Sequence, residues 1–320
     1  MQVLTSSDEN IVRASRYLRD GGLVAFPTET VYGLGANAGD GRAVAGLYEA
    51  KDRPQFNPLI VHVADMDAAE QLGVFDDRAR RLAAQFWPGP FTLVLPLRED
   101  APISRLVTAG LDTIALRVPS HEVAQSLISF AGVPVAAPSA NRSGRLSPTT
   151  AEHVAADFTD INGVILNGGR CPGGLESTVV GLAGDTAVLL RPGGVPREEI
   201  EATLGESLQR PDAKDTAGPV SPGMTARHYA PRTPLRLDAR EVRPCEVLLG
   251  FGPDAPPETT LNLSPEGDLV EAAANLFGYL RALDGCKADT IAVMPVPHEG
   301  LGEAINDRLT RAAAPDPATG

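Results

Sequence analysis

The chain has 320 residues, 43% of them hydrophobic and 22% charged, and a formal net charge of -13. That size allows one large domain or two smaller ones, and the composition is ordinary for a soluble globular protein. The acidic balance argues against a broad nucleic-acid surface, no apolar run reaches membrane-spanning length, and Cys171, Cys245 and Cys286 suggest neither a disulfide framework nor a zinc site.

The N-terminus, MQVLTSSDEN, lacks a basic region followed by an apolar stretch, so no signal peptide is expected. With the cysteine usage, this predicts a cytoplasmic protein. Ser7 to Asp20 reads as a helix, capped by Ser7 or Asp8 and striped by Ile11, Val12, Ala14 and Leu18. Val24 to Phe26 reads as a buried strand stopped by Pro27. Thr28, Glu29 and Thr30 follow, and Tyr32-Gly33-Leu34-Gly35 is expected to turn the chain. Arg42 to Glu49 has helical spacing, and Lys51-Asp52-Arg53-Pro54 ends it, because proline disfavours helix at the residue before it. Leu59 to Val63 is a second apolar strand, with His62 inside it.

Phe75-Asp76 leads into a helix through Phe86, closed by Trp87-Pro88-Gly89-Pro90. Phe91 to Leu95 and Asp112 to Val118 read as strands. In the second, alternation puts Thr113, Ala115 and Arg117 on one face. His121 to Phe130 is a short helix, and Val133 to Ala137 a strand running into the polar loop Pro138 to Gly144. Ser147-Pro148-Thr149-Thr150 is expected to cap the next helix from Ser147, with proline in its first turn. Gly163 to Leu166 is a strand broken by Asn167-Gly168-Gly169, Gly173 to Thr178 leads into Val179-Val180, Leu189-Leu190 runs into Arg191-Pro192-Gly193-Gly194, and Pro196 to Leu204 is a helix.

Composition shifts near Gln209. Residues 209–234 are rich in proline, glycine and polar residues and read as a linker between a domain at 1–208 and one at 235–320. Beyond it the strands Glu246 to Phe251, Thr259 to Leu263 and Thr290 to Met294 alternate with helices at Asp268 to Leu283 and Leu301 to Arg311. That is a small α/β domain, with a frayed tail expected from Ala314 onward.

Common catalytic motifs are missing: no phosphate loop of the G-x-x-x-x-G-K-[ST] kind, no complete dinucleotide fingerprint, and no nucleophile elbow. What remains is a scattered set at strand ends: Thr30, Lys51, Arg53, Asn57, His62, Thr113, Arg117, Ser139, Asn141, Ser147, Ser177 and Arg191. Lysine is scarce here, with only Lys214 and Lys287 besides Lys51. Lys51 and Arg53 read either as phosphate cations or as a solvated helix end. His62 reads as a ligand or as a satisfied core histidine. Ser139 and Ser147 read as site hydroxyls or as turn and cap residues. Cations beside many hydroxyls suit a polyanionic small molecule, and the residues alone lead no further.

PTETVYGLG at 27–35, KDRPQFNPLIVHV at 51–63, APSANRSG at 137–144, LESTVV at 175–180 and RPGG at 191–194 together resemble the YrdC-type threonylcarbamoyl-AMP synthases. SPGMTARHYAP at 221–231 resembles the linker of the longer, two-domain members. One departure is the pair Gln55-Phe56 before Asn57.

The resemblance implies a YrdC-like twisted mixed sheet with a concave groove, plus a smaller Rossmann-like α/β domain. It implies that L-threonine, bicarbonate and ATP, assisted by magnesium, give threonylcarbamoyl-AMP and pyrophosphate. A separate tRNA threonylcarbamoyl transferase complex then uses the product, with no stable tRNA binding and no membrane attachment expected of this chain. By matching position, Thr30, His62, Arg117 and Ser177 hold threonine. Arg53, Asn57, Thr113, Ser139, Asn141, Ser147, Arg191 and Tyr229 hold ATP. Lys51 and Arg53 act on the phosphates, no protein metal ligand is implied, and the linker is expected to close over the groove as a lid. The rival is a non-catalytic double-stranded RNA-binding factor, which the net charge disfavours.

Overall fold

The computed structural model describes residues 1–211 and 227–315. The chain begins with β1 (Gln2–Thr5), α1 (Asp8–Arg19), β2 (Val24–Phe26), β3 (Gly33–Asn37), α2 (Gly41–Lys51) and β4 (Ile60–His62). Next come α3 (Met66–Glu70), α4 (Asp77–Phe86), β5 (Phe91–Pro96), β6 (Thr113–Arg117), α5 (Glu122–Ala131) and β7 (Val135–Ala136). Then α6 (Ala151–Asp157), β8 (Val164–Asn167), β9 (Thr178–Gly181), β10 (Val188–Arg191) and α7 (Arg197–Leu204) complete the first unit. Its strands form one mixed sheet of ten in the order β1-β8-β2-β3-β7-β4-β6-β5-β9-β10.

Local signals explain the helices. Ser7 caps α1 by accepting from the Asn10 amide, acids stand in the first turn and Arg16 and Arg19 in the last, as the helix dipole favours. Asp40 and Asp76 cap α2 and α4 the same way. Helix α2 runs two residues further than its spacing suggests. Lys51 is therefore its last residue, and Asp52 closes it in the left-handed region.

Strand parity places the site. From β4 to β10, one face carries Val61, Leu93, Leu95, Leu116, Val180 and Leu189, packed on α2, α4 and α7. The opposite face carries Ile60, Val94, Ala115 and Val179, a small apolar set that cannot form a core alone. The second domain packs on the loops that carry Val31, Leu146 and Leu175. It is a parallel sheet in the order β11 (Leu235–Arg236), β14 (Thr290–Val293), β12 (Glu246–Gly250), β13 (Leu261–Asn262), with α8 (Leu269–Asp284) and α9 (Leu301–Ala313). Leu276, Phe277 and Leu280 of α8 and Ile305 and Leu309 of α9 share one core with Val31, Leu146 and Leu175 of the first unit. Arg281 pairs with Asp157 at 2.7 Å and Arg197 with Glu303 at 2.8 Å across the junction.

Three readings of the sequence change. Gly33–Asn37 is a strand, antiparallel to β2, and not a turn. The glycines serve packing, since a Cβ on Gly35 would lie 2.9 Å from both Phe26 and Val135. The cap of α6 is Thr150, which accepts from the His153 amide, because Ser147 is turned away to a side-chain partner described below. Gln209 pairs with Val188 and so extends the first sheet instead of opening the linker. Strand β1 and helix α3 were not anticipated. Lys214, Pro222 and Met224 of the linker and residues 316–320 of the tail lie outside the described residues.

At Gly174 the backbones of the two units are in close contact. This glycine has φ 69°, and a Cβ there would meet the Ala273 carbonyl oxygen at 2.2 Å and the Ala274 Cα at 2.6 Å, both backbone of α8. Gly174→Ala should therefore push α8 outward and cost about 2 kcal/mol or more, by overpacking and left-handed strain together. Thermal unfolding is the check, and an unchanged midpoint would contradict so tight a junction.

Candidate functional site

A cavity of about 50 Å³ lies on the Ile60 face of the sheet. Thr28 and Thr30 reach it from the loop after β2, Ile60 and His62 from β4, Arg117 from β6, and Pro138 and Ser139 from the loop after β7. Arg53, Glu176, Ser177, Arg191, His228 and Tyr229 complete the wall. The residues thus gather at strand ends, with His62, Arg117 and Arg191 the last residues of β4, β6 and β10. An open groove of about 1000 Å³ beside α1 contains none of them.

Arg117 lies beside His62 because β4 and β6 are parallel with those residues in register. Its Nη2 donates to Glu29 Oε1 at 2.5 Å and to Thr30 Oγ1 at 3.1 Å, and its Nε to the Gly89 carbonyl. The second Glu29 oxygen accepts from the Ser120 amide. Burial would raise the Glu29 carboxyl, but Arg117 and these hydrogen bonds hold it below its ordinary value. His62 is buried with Nδ1 unpartnered. Burial, helped by the Arg117 charge, pushes its pKa down to about 3, so the ring is neutral.

Ser177 shares a hydrogen bond with Thr92 at 2.8 Å, and Arg191 donates to both its carbonyl and its hydroxyl. Glu176 is buried beside it. Ser147 Oγ donates to Glu176 Oε1 at 2.5 Å, and Arg308 of α9 donates to Oε2 at 2.8 Å. Arg53 Nη2 donates to the Pro58 carbonyl, and burial lowers its pKa to about 10.

Lys51 is not a solvated helix end. It is 1% exposed, and its Nζ donates to the carbonyls of Ser139 and Asn141. Burial, then the Arg53 charge, lowers its pKa well below the ordinary lysine value. Asn57 and Asn141 are buried with Oδ1 unpartnered, behind the wall. Thr113 is on the Arg117 face but about 13 Å along the strand, at 3.3 Å per residue, outside the cavity.

The segment after the linker closes the top. The Ala230 amide donates to the Gly144 carbonyl and the His228 amide to the Arg311 carbonyl. Tyr229 is buried with its hydroxyl unpartnered, and its φ of 60° is strained for a tyrosine, by about 1 kcal/mol or more. Its ring lies against Phe277 and under the Arg308 guanidinium. Burial, with the charges of Arg53 and Lys51, keeps His228 neutral.

Sequence reasoning assigned no role to Glu29, Glu176 or Arg308. Signals existed. Glu29 is the only charge between Leu23 and Gly39, and Glu176 the only one between Cys171 and Gly184. Arg308 falls on the apolar stripe of α9. Around the cavity, Lys51, Arg53, Arg117, Arg191 and Arg308 are buried against the carboxylates of Glu29 and Glu176. Positive charge is in excess, as an anionic ligand requires. Among the described residues no group of three or more His, Cys, Asp or Glu side chains could hold a metal, and no helix is long and apolar enough to cross a membrane.

Residues 16–193 match the Sua5/YciO/YrdC family model, described as telomere recombination, and residues 195–314 match the threonylcarbamoyl-AMP synthase C-terminal domain. A Bacillus subtilis threonylcarbamoyl-AMP synthase is 42% identical over 97% of this chain and 94% of its own. A Pyrococcus abyssi protein of the same name is 44% identical over 94% of this chain and 93% of its own. The crystal structure of P. abyssi Sua5 with L-threonine superposes with a TM-score of 0.87 at 40% identity, covering 98% of both chains. Full-length HypF in a phosphate- and nucleotide-bound form covers 58% of this chain and 29% of its own at 20% identity and a TM-score of 0.53, a likeness of fold alone.

The neutral His62 makes a testable statement about pH. Unfolded, the ring takes up a proton near the ordinary histidine value of 6.5, and folded only near 3. The unfolded state therefore binds more protons in that window, and stability falls as pH drops through it, by up to about 1.4 kcal/mol per pH unit. His62→Gln lacks this contribution. The stability gap between wild type and variant, measured by denaturant unfolding, should narrow steadily as pH falls below 6.5. A constant gap would mean that the folded protein holds a charged imidazole.

Proposed function

Since the chain belongs to the Sua5/YciO/YrdC family, we propose that it is an enzyme joining L-threonine, bicarbonate and ATP into threonylcarbamoyl-AMP, with release of pyrophosphate. The observation that carries this reading is the convergence of Thr30, His62, Arg117 and Ser177 with Arg53, Ser139 and Arg191 on one buried, positively charged cavity.

The two ends suit the two organic substrates. Arg117 and Glu29 offer opposite charges side by side, as a zwitterionic amino acid needs, and Thr30, Ser177 and the neutral His62 add uncharged partners. Arg53, Ser139, Arg191 and Tyr229 form the nucleotide end. Asn57, Asn141, Ser147 and Thr113 extend it behind the wall and along the strand face. Lys51 acts on this end through the Ser139 and Asn141 backbone that it holds.

Threonine's amine attacks the carbon of bicarbonate, and water leaves to give the carbamate. A carbamate oxygen then attacks the α-phosphorus, and pyrophosphate departs. Charge builds on phosphate oxygens in that step, so fixed cations and donors supply most of the catalysis. Glu29 and Glu176, the carboxylates at the cavity, are each already paired to an arginine. Magnesium would arrive as the counter-ion of ATP and offset charge on its phosphates.

A cavity of about 50 Å³ has no room for ATP, so the segment at His228 to Ala230 opens to admit it and closes to exclude water from the labile carbamate. The adenylate then passes to a tRNA threonylcarbamoyl transferase in the cytoplasm. The acidic net charge of -13 weighs against RNA binding as the primary role.

Incubation with ATP, labelled bicarbonate and threonine should give pyrophosphate and a labelled adenylate. Serine should be poorer by roughly 1 kcal/mol, the worth of one methyl group in a fitted pocket. Pyrophosphate release that proceeds equally without threonine would sink the assignment. Removing a phosphate donor typically costs about 3 kcal/mol of transition-state stabilisation, so Arg53→Ala should depress turnover by that order. Lys51→Ala should depress turnover and also the thermal midpoint, because two buried carbonyls lose their donor at about 1–3 kcal/mol each. An unchanged midpoint in Lys51→Ala would return that lysine to direct phosphate contact.

A further inference from the structure

The buried face of α9 carries a charge. Ala304, Ile305, Leu309 and Ala312 form its apolar stripe, and Arg308 stands among them with 0% exposure. A guanidinium in that position needs partners, and it finds most of them outside its own domain. Its Nε donates to Glu176 at 2.8 Å and its Nη2 to the Pro192 carbonyl at 3.0 Å. Its carbon lies 4.9 Å from the centre of the Tyr229 ring, within cation–π reach. Nη1 is held by Asp307, which also accepts from Arg311. One side chain of the second domain therefore touches three separate segments around the cavity.

We propose that Arg308 is a positioning residue of the active site: it neutralises Glu176 and clamps it, together with the Pro192 turn and Tyr229, so that Ser147 and Arg191 stay set for the nucleotide. This rests on the reading of the cavity as a nucleotide site.

Glu176 faces Arg308, with Asp307 behind it, on α9; Arg191 at the end of β10; Ser147 before α6; and Tyr229 with the neutral His228 on the closing segment. Burial would raise its carboxyl, and Arg308 is the largest influence bringing it below the ordinary value, followed by Arg191. Without Arg308, a buried carboxylate must take up a proton or draw another cation. Arg191 is the cation at hand, and it holds Ser177 at 2.9 Å through the carbonyl and 3.2 Å through the hydroxyl. Turning it to Glu176 would loosen both Ser177 and the nucleotide end. Arg308 also gives the second domain a chemical part in the site beyond covering it.

The test uses the full chain as wild type, Arg308→Met, Arg308→Lys and the double variant Glu176→Gln/Arg308→Met, with adenylate formation followed across the neutral pH range. Arg308→Met should lose roughly tenfold to a hundredfold in kcat, the scale of small misplacements, with KM for threonine rising as well because Arg191 also holds Ser177. Its defect should deepen as pH rises, because an ionised Glu176 competes for Arg191 and a protonated one does not. The double variant has nothing to titrate there, so its defect should be smaller at high pH and independent of pH. Arg308→Lys should fall between, with no added pH dependence. Wild-type kcat in Arg308→Met overturns the proposal, as does an equal, pH-independent loss in Arg308→Met and the double variant. Should Arg308→Met fail to fold, Arg308→Lys decides, and wild-type kcat in that variant overturns it. Absence of adenylate from wild type itself would instead bring down the functional reading.

Discussion

A sheet has two faces, and from β4 to β10 this protein gives only one of them to helices. The other face is too polar and too thinly apolar to close a core alone. The rest of the molecule answers that constraint. A second domain packs on the loops beside that face, and its α8 and α9 complete a core begun by Val31, Leu146 and Leu175. The cavity is the part of the junction that apolar side chains do not fill. Ile60, His62 and Arg117 in its wall alternate with strand residues that hold the main core, so this part of the site inherits the rigidity of the sheet, while loops supply the rest.

Charge is the second constraint. Buried cations are costly unless paired, yet Lys51, Arg53, Arg117, Arg191 and Arg308 are all buried near one place. The protein meets much of that cost internally. Lys51 and Arg53 donate to backbone carbonyls, while Arg117 and Arg308 take the carboxylates. The histidines stay neutral. The surplus positive charge is left for a ligand, and it strengthens any anion bound because water is largely excluded. The unpartnered buried atoms of His62, Asn57, Asn141 and Tyr229 fit a site that completes its hydrogen bonds only with substrate present.

The sequence by itself determined most of the alternation of strands and helices, the cap at Ser7, and many of the residues that meet at the cavity. These follow from local rules: periodicity, capping chemistry and the stiffness of proline. Its errors were also local. Gly33-Leu34-Gly35 carries turn chemistry, but close approach of Phe26 and Val135 makes it a strand. Ser147 has the look of a helix cap, but Glu176, distant in the chain, takes its hydroxyl. Only the tertiary structure decided which face of the sheet is open, that Lys51 is buried on two carbonyls, that Thr113 lies beyond the cavity, and that Glu176 answers to an arginine in the other domain. Each of those depends on a contact between residues far apart in sequence. Local propensity carries no information about such partners, because their energies arise only when folding removes both groups from water.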